Sequence, residues 1–222
     1  MVLAAAMAAF PMAAAAQTPS FDFRGVPLGV SIDEARMADM SRYPDLANAT
    51  LVCSGDPQVG AISYLGTHVS EAERAAGVTR CAYYNPPNVY GSVTMSNAAG
   101  LSLGGGVASY ELDYAFDFFP DEAGVPRLYR IWLRTNAQGF SDIVAQLETK
   151  FGAGSLGRDE VESGLGARYS RRIVTWRRPG ALLRVRERAG RIDRMDVTYT
   201  LTAIAERATA AVRTAQGQAD RM

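Results

Sequence analysis

Residues 110–135 read YELDYAFDFFPDEAGVPRLYRIWLRT, and this stretch carries the clearest structural pattern in the sequence. Apolar side chains occupy alternate positions from Tyr110 to Phe118 and again from Leu128 to Thr135. That period of two is typical of β-strands with one buried face. The stretch therefore predicts an antiparallel hairpin.

Apolar and charged pairs agree on one register for this hairpin. The predicted apolar pairs are Phe118–Tyr129, Phe116–Ile131 and Tyr114–Leu133, and the predicted charged pairs are Asp117–Arg130 and Asp113–Arg134. Cross-strand pairs of both kinds stabilise a sheet, and a slip by one residue would move every side chain to the other face. With Glu111, the aspartates line one strand face. We expect a solvated surface of ion pairs there, with paired-carboxylate catalysis as the alternative.

Helices flank the hairpin on both sides along the chain. Ser31 with Glu34, and Ser70 with Glu73, have the spacing of capping boxes. The first helix should end before Pro44. After the hairpin, Ser141 is expected to cap a helix that ends at Gly152.

The second half of the chain predicts three more strands and a last helix. Residues 153–166 are interpreted as a glycine-containing linker. The strands are expected near 168–178, 181–188 and 192–200, and an alanine-rich helix near 203–216. The expected inner-face neighbours are Trp176 with Leu183, Val174 with Val185, and Leu183 and Val185 with Val197 and Met195.

This element order predicts an α+β protein made of two similar helix-on-antiparallel-sheet units and a C-terminal helix. The expected division is a first unit over 17–136 and a second unit with the helix over 137–222.

Residues 1–16 have the pattern of an export signal. The segment from Val2 is apolar and alanine-rich, and Ala14-Ala15-Ala16 precedes Gln17, which predicts cleavage after Ala16. No later segment is long and apolar enough to span a membrane. We therefore expect a periplasmic or secreted protein in which Cys53 and Cys81 form a disulfide. That bond would contribute about 3.6 kcal/mol through its loop of roughly 29 residues.

Composition excludes several classes of function. The chain has 222 residues, zero net charge, one histidine and two cysteines. These numbers leave too few ligands for most zinc, haem or iron–sulfur sites, so we expect no metal and no cofactor. Zero net charge and export disfavour a nucleic-acid partner.

Two helix segments carry a resemblance to known exported proteins. Residues 29–34, GVSIDE, and residues 140–152, FSDIVAQLETKFG, resemble helix segments of the β-lactamase inhibitory protein type and of the small outer-membrane assembly lipoproteins. The opening segment also resembles those of uncharacterised exported bacterial proteins. The resemblance implies a protein-binding scaffold rather than an enzyme, and it transfers no contact residue to this chain. The second half lacks the cysteines of the inhibitor type, and the chain lacks the lipidated cysteine of the lipoproteins.

Charge is divided unevenly along the chain. Residues 1–150 carry nine basic and fifteen acidic side chains, whereas residues 151–222 carry fourteen and eight. In the second sheet, side chains that should point away from Leu183 and Val185 form a candidate binding surface, namely Arg177, Arg184, Arg186 and Arg194. This surface predicts contact with an envelope protein or an anionic surface. Neutralisation within the molecule and a general use of arginine are the alternative explanations.

Two other functions stay open at this level. A small-ligand-binding periplasmic protein would use aromatic stacking groups, for which the candidates are Tyr83, Tyr84, Tyr90 and Trp132. A hydrolase would use Ser102 in the segment Gly100–Gly104 or the strand carboxylates. His68 is interpreted as a surface residue next to the Ser70 cap.

Overall fold

The computed structural model describes residues 20–43, 46–57, 68–84, 113–162, 164 and 166–219. The expected signal at 1–16 lies outside these residues. The strands are β1 (Asp22–Phe23), β2 (Val26–Pro27), β3 (Thr50–Cys53), β4 (Thr79–Tyr84), β5 (Asp113–Pro120), β6 (Pro126–Asn136), β7 (Ser155–Glu162), β8 (Arg168–Arg178), β9 (Ala181–Arg186) and β10 (Arg194–Leu201). The helices are α1 (Ile32–Arg36), α2 (Glu71–Ala75), α3 (Phe140–Phe151) and α4 (Thr202–Ala219).

Eight of the described strands form one antiparallel sheet, and the α+β class with a C-terminal helix is confirmed. The strand order is β3-β4-β5-β6-β10-β9-β8-β7. The last strand of each predicted unit lies at the centre, where β6 pairs with β10. The sheet therefore runs without interruption across the expected boundary near residue 136.

One hydrophobic core covers one side of this sheet. It joins the β1–β2 hairpin and Ala35 of α1 to Phe140, Ile143 and Leu147 of α3, and all of them pack on the strands. Phe116, Ile131 and Leu183 are fully buried there. Because the cluster holds residues of both halves, the halves share this core.

A second, smaller cluster lies on the other side of the sheet. It joins Val69 and Val78 near α2 to Phe119, Tyr129 and Ala208 of α4. The α4 helix therefore covers part of that side, over Phe119 and Tyr129. Elsewhere on that side, β6, β9 and β10 present mainly polar residues.

The predicted hairpin register is correct except at its turn. Phe116 lies opposite Ile131 and Asp117 opposite Arg130, but Phe118 lies opposite Leu128 and not Tyr129. A β-bulge causes the difference, because Tyr129 is an extra residue on β6. The bulge turns Tyr129 away from the main core and into the second cluster.

The linker expected at 153–166 contains strand β7, which is a correction. Glycines make the entry into this strand possible. A side chain on Gly154 would lie 2.5 Å from Val174 Cγ1 and 2.8 Å from Trp176 Cε2, and the Trp176 indole donates to the Gly152 carbonyl at 2.7 Å. The glycines allow the backbone to cross Trp176 closely before it pairs with β8.

The α1 helix ends at Arg36, before Pro44 as expected, and the chain beyond it brings Met40 and Leu46 into the core. Two further expectations, about a helix start and a strand pairing, need correction. Gly139 and not Ser141 is the N-cap of α3, because a 3₁₀ turn over Ala137–Gly139 starts the helix earlier. In β10, Leu183 lies opposite Tyr199 and Val185 opposite Val197, so this pairing is two residues from the expected one.

Candidate binding face of the sheet

Strand alternation exposes a polar surface on the side of the sheet opposite the main core. Ile131 and Leu133 are fully buried, whereas Trp132 between them is only partly buried. The same alternation along β9 buries Leu183 and Val185 and leaves Arg184 and Arg186 on the open side.

Nine of these residues line a groove of about 480 Å³, which we call the arginine face. Its members are Arg130, Trp132, Arg134, Leu182, Arg184, Arg186, Asp196, Thr198 and Thr200. They come from β6, β10 and β9, which are neighbours only because the two halves join at β6 and β10. The face combines four guanidinium groups with one carboxylate.

The centre of the face consists of two rows of residues that cross the strands. In one row, Thr198 lies between Trp132 and Arg184. In the other row, Asp196 lies between Arg134 and Arg186, and its carboxylate accepts from Arg134 Nε at 3.1 Å and from Arg186 Nη2 at 3.2 Å. The Asp196 carboxylate therefore neutralises part of the charge of two arginines.

Arg184 has no ion-pair partner among the described residues. Its Nε is a buried donor without an acceptor, as is the Nε of Arg186. Buried donors are almost always hydrogen-bonded in folded proteins, so these two side chains are incompletely satisfied. Among the described residues, Arg184 is therefore the arginine of the groove whose charge no carboxylate neutralises.

The four arginines predicted from sequence do not all line the groove. Arg184 and Arg186 line the groove. Arg177 lies opposite Leu182 in the register and is exposed beside the groove, whereas Arg194 lies opposite Asn136 at the start of β10 and does not line it.

Sequence reasoning missed Arg130 and Arg134 as members of this surface. The alternation along β6 is the signal that could have found them, because both arginines lie on its polar side. Only the pairing of β6 with β10 brings that side next to Arg184.

The predicted ion pair of Asp117 is real, but it is buried rather than solvated. Asp117 is fully buried and bridges two arginines, accepting from Arg80 Nε and Arg130 Nε at 2.6 Å each. Arg80 also donates to Glu73 at 2.8 Å and to the His68 carbonyl at 2.6 Å. Both Asp117 oxygens are thus engaged, which argues against this group as a free acid or base.

Electrostatics around Asp117 favour the charged forms of its partners. Burial opposes the charge on Arg80, yet the Asp117 carboxylate raises the pKa of Arg80 above its usual range. Burial, with a smaller effect of the same carboxylate, raises the pKa of Tyr129 to about 12. The Asp117 carboxylate therefore stabilises the charged form of Arg80.

The other candidates are not assembled into one site. Tyr83 is buried in the main core against Phe116, on the opposite side of the sheet from Trp132, and Tyr84 packs at the edge of that core. Tyr90, Ser102, Glu111 and the side chain of Asp113 lie outside the described residues. His68 is exposed, and its carbonyl holds Arg80.

The disulfide between Cys53 and Cys81 is confirmed. It joins directly opposite residues of β3 and β4. In the part of the chain that the structure describes, no group of histidine, cysteine, aspartate or glutamate side chains is arranged to hold a metal ion. None of the described helices is long and apolar enough to cross a membrane.

Comparison of the chain with protein-family models, with curated proteins and with solved structures found no match.

Proposed function

We propose that the chain is an exported, non-catalytic binding protein whose arginine face contacts an anionic partner, either a protein or a surface of the cell envelope. The observation that carries this proposal is Arg184, an arginine with a buried donor and without an ion-pair partner among the described residues. Around it, three further guanidinium groups and one carboxylate line the groove. Such a surface attracts anions and increases their association rate.

Two features support the exported location. The disulfide Cys53–Cys81 is typical of oxidising compartments, and residues 1–16 have the composition of a cleavable signal. Expression in a bacterial host, followed by mass measurement of the recovered protein, should show a chain that begins at Gln17. Recovery from the cytoplasm of the uncut chain would contradict the export proposal.

Binding of labelled poly-L-glutamate, measured by fluorescence anisotropy, tests the arginine face. A charge-reversed variant, Arg177→Glu with Arg184→Glu, changes two side chains without ion-pair partners among the described residues. We expect its Kd to be raised at least about ten-fold, which corresponds to about 1.4 kcal/mol. Added salt should weaken the binding of the native chain.

The matched control reverses the same number of charges away from the face. Arg168 faces the other side of the sheet, and Arg213 is exposed on α4. The variant Arg168→Glu with Arg213→Glu should bind within about two-fold of the native chain if the face and not net charge governs binding. Equal losses in both variants, or no binding by the native chain, would overturn the proposal.

A further inference from the structure

The arginine face combines apolar, hydroxyl and guanidinium groups, and this combination indicates which class of partner it binds. Trp132 and Leu182 supply apolar surface, and Thr198 and Thr200 supply hydroxyl groups, next to the guanidinium of Arg184. Tryptophan and arginine are the residue types that most often dominate the energy of protein–protein contacts. The face therefore has the composition of a protein-binding surface.

The charges on the face are separated rather than continuous. Asp196 lies between Arg134 and Arg186 and accepts a hydrogen bond from each. A dense array of phosphates would place negative charge against this carboxylate, and like charges at close range are unfavourable. A polypeptide instead offers isolated carboxylates together with backbone N–H groups, and the latter can donate to Asp196 and the threonines.

The spacing across the strands fits neighbouring side chains of an extended segment. Trp132 and Arg184 are each one strand away from Thr198, which places them about 10 Å apart. Alternate residues of an extended chain point to one side and are about 7 Å apart, and long side chains reach the remaining distance. An aromatic residue and an acidic residue at such positions would contact Trp132 and Arg184 together.

We propose that the arginine face binds an acidic segment of a partner protein, with an aromatic side chain packed on Trp132 and a carboxylate paired with Arg184. This inference rests on the proposed function, because it names the partner of the same face. The carboxylate supplies the ion-pair partner that Arg184 lacks among the described residues. The aromatic contact provides selectivity that charge alone does not provide.

Two labelled polymers of equal length test this inference on the full chain. One is poly-L-glutamate and the other is a random copolymer of glutamate and tyrosine. We expect the native chain to bind the copolymer at least about ten-fold more tightly, although the copolymer carries fewer charges. Vesicles that contain phosphatidylglycerol form a third arm and should bind more weakly than the copolymer.

Variants of the two contact residues separate their contributions. Trp132→Ala should remove the preference for the copolymer, while Trp132→Phe retains most of it. Arg184→Gln should weaken the binding of both polymers, and Arg213→Gln, which removes the same charge from exposed α4, should weaken neither. Thr198→Glu places a carboxylate between the two contact residues and should block both polymers. If Trp132→Ala fails to fold, the comparison of the two polymers on the native chain and on Trp132→Phe still decides the inference.

The outcomes distinguish this inference from the proposed function. Equal affinity for the two polymers, or a preference that survives Trp132→Ala, overturns the inference and leaves an anion-binding face. Tight binding to the vesicles without preference for the copolymer overturns it in favour of lipid headgroups. Absence of binding to all three probes overturns both proposals.

Discussion

Asp117 shows how one buried charge organises its surroundings. Its carboxylate holds Arg80, which also contacts α2 through Glu73, and Arg130, which lines the arginine face. Both arginines keep their charge because the carboxylate lies between them. Removing that charge leaves Arg130 without a carboxylate partner among the described residues and leaves Arg80 with Glu73 alone.

We therefore expect Asp117→Asn to lower the free energy of unfolding by about 3–5 kcal/mol. The matched control is Asp193→Asn, which breaks an exposed pair with Arg191. It should lower that free energy by no more than about 1 kcal/mol. Urea denaturation measures the free energy of unfolding of the two variants. An equal decrease in both would mean that burial does not determine how much the Asp117 ion pairs stabilise the protein.

The N-terminal residues of α2 and α3 differ in how much they stabilise their helices. At α2, the Ser70 hydroxyl accepts from the Glu73 N–H, and the Glu73 carboxylate accepts from the Ser70 N–H at 2.8 Å. The other oxygen of Glu73 accepts from Arg80, so the cap of this short helix is joined to the Asp117 cluster. At α3, Ser141 lies inside the helix and caps nothing.

We expect Ser70→Ala to cost about 1 kcal/mol, because α2 loses its N-cap acceptor. Ser141→Ala should change the free energy of unfolding by less than about 0.5 kcal/mol, as for most surface positions. Hydrogen exchange resolved by residue should show faster exchange in α2 for the first variant and unchanged α3 for the second. A larger effect at Ser141 would contradict the observed start of α3.

The pairing of β6 with β10 couples the stability of the two halves of the molecule. Val197 is 1% exposed in the centre of β10, opposite Leu133 on one side and Val185 on the other. The main core also crosses this junction. We therefore expect the two halves to unfold together.

Val197→Ala tests this coupling. It should lower the free energy of unfolding by about 2 kcal/mol, through lost burial and the remaining cavity. Protection of the amides in β4 and in β8 from hydrogen exchange should fall by the same amount in a single unfolding transition. Loss of protection in one half only would support two independent units over 17–136 and 137–222.

Local patterns in the sequence determined strands β5, β6 and β8 to β10, most of the hairpin register, the capping boxes at Ser31 and Ser70, and the disulfide. Most of these features depend on residues that are close together in the chain. The disulfide could be predicted because the chain has only two cysteines. The bulge at Tyr129 was not predictable from alternation, because it serves the distant contact with Ala208 of α4.

Only the tertiary structure decided the composition of the arginine face and the burial of Asp117. The face unites residues of β6, β9 and β10 because the last strands of the two halves pair, and no local period encodes a pairing between such distant segments. The arginine pattern on β9 indicated two of the four arginines of the face from sequence alone. Arg130, Trp132 and Arg134 join the face because β6 pairs with β10. That long-range pairing is stabilised by a hydrophobic core that both halves share.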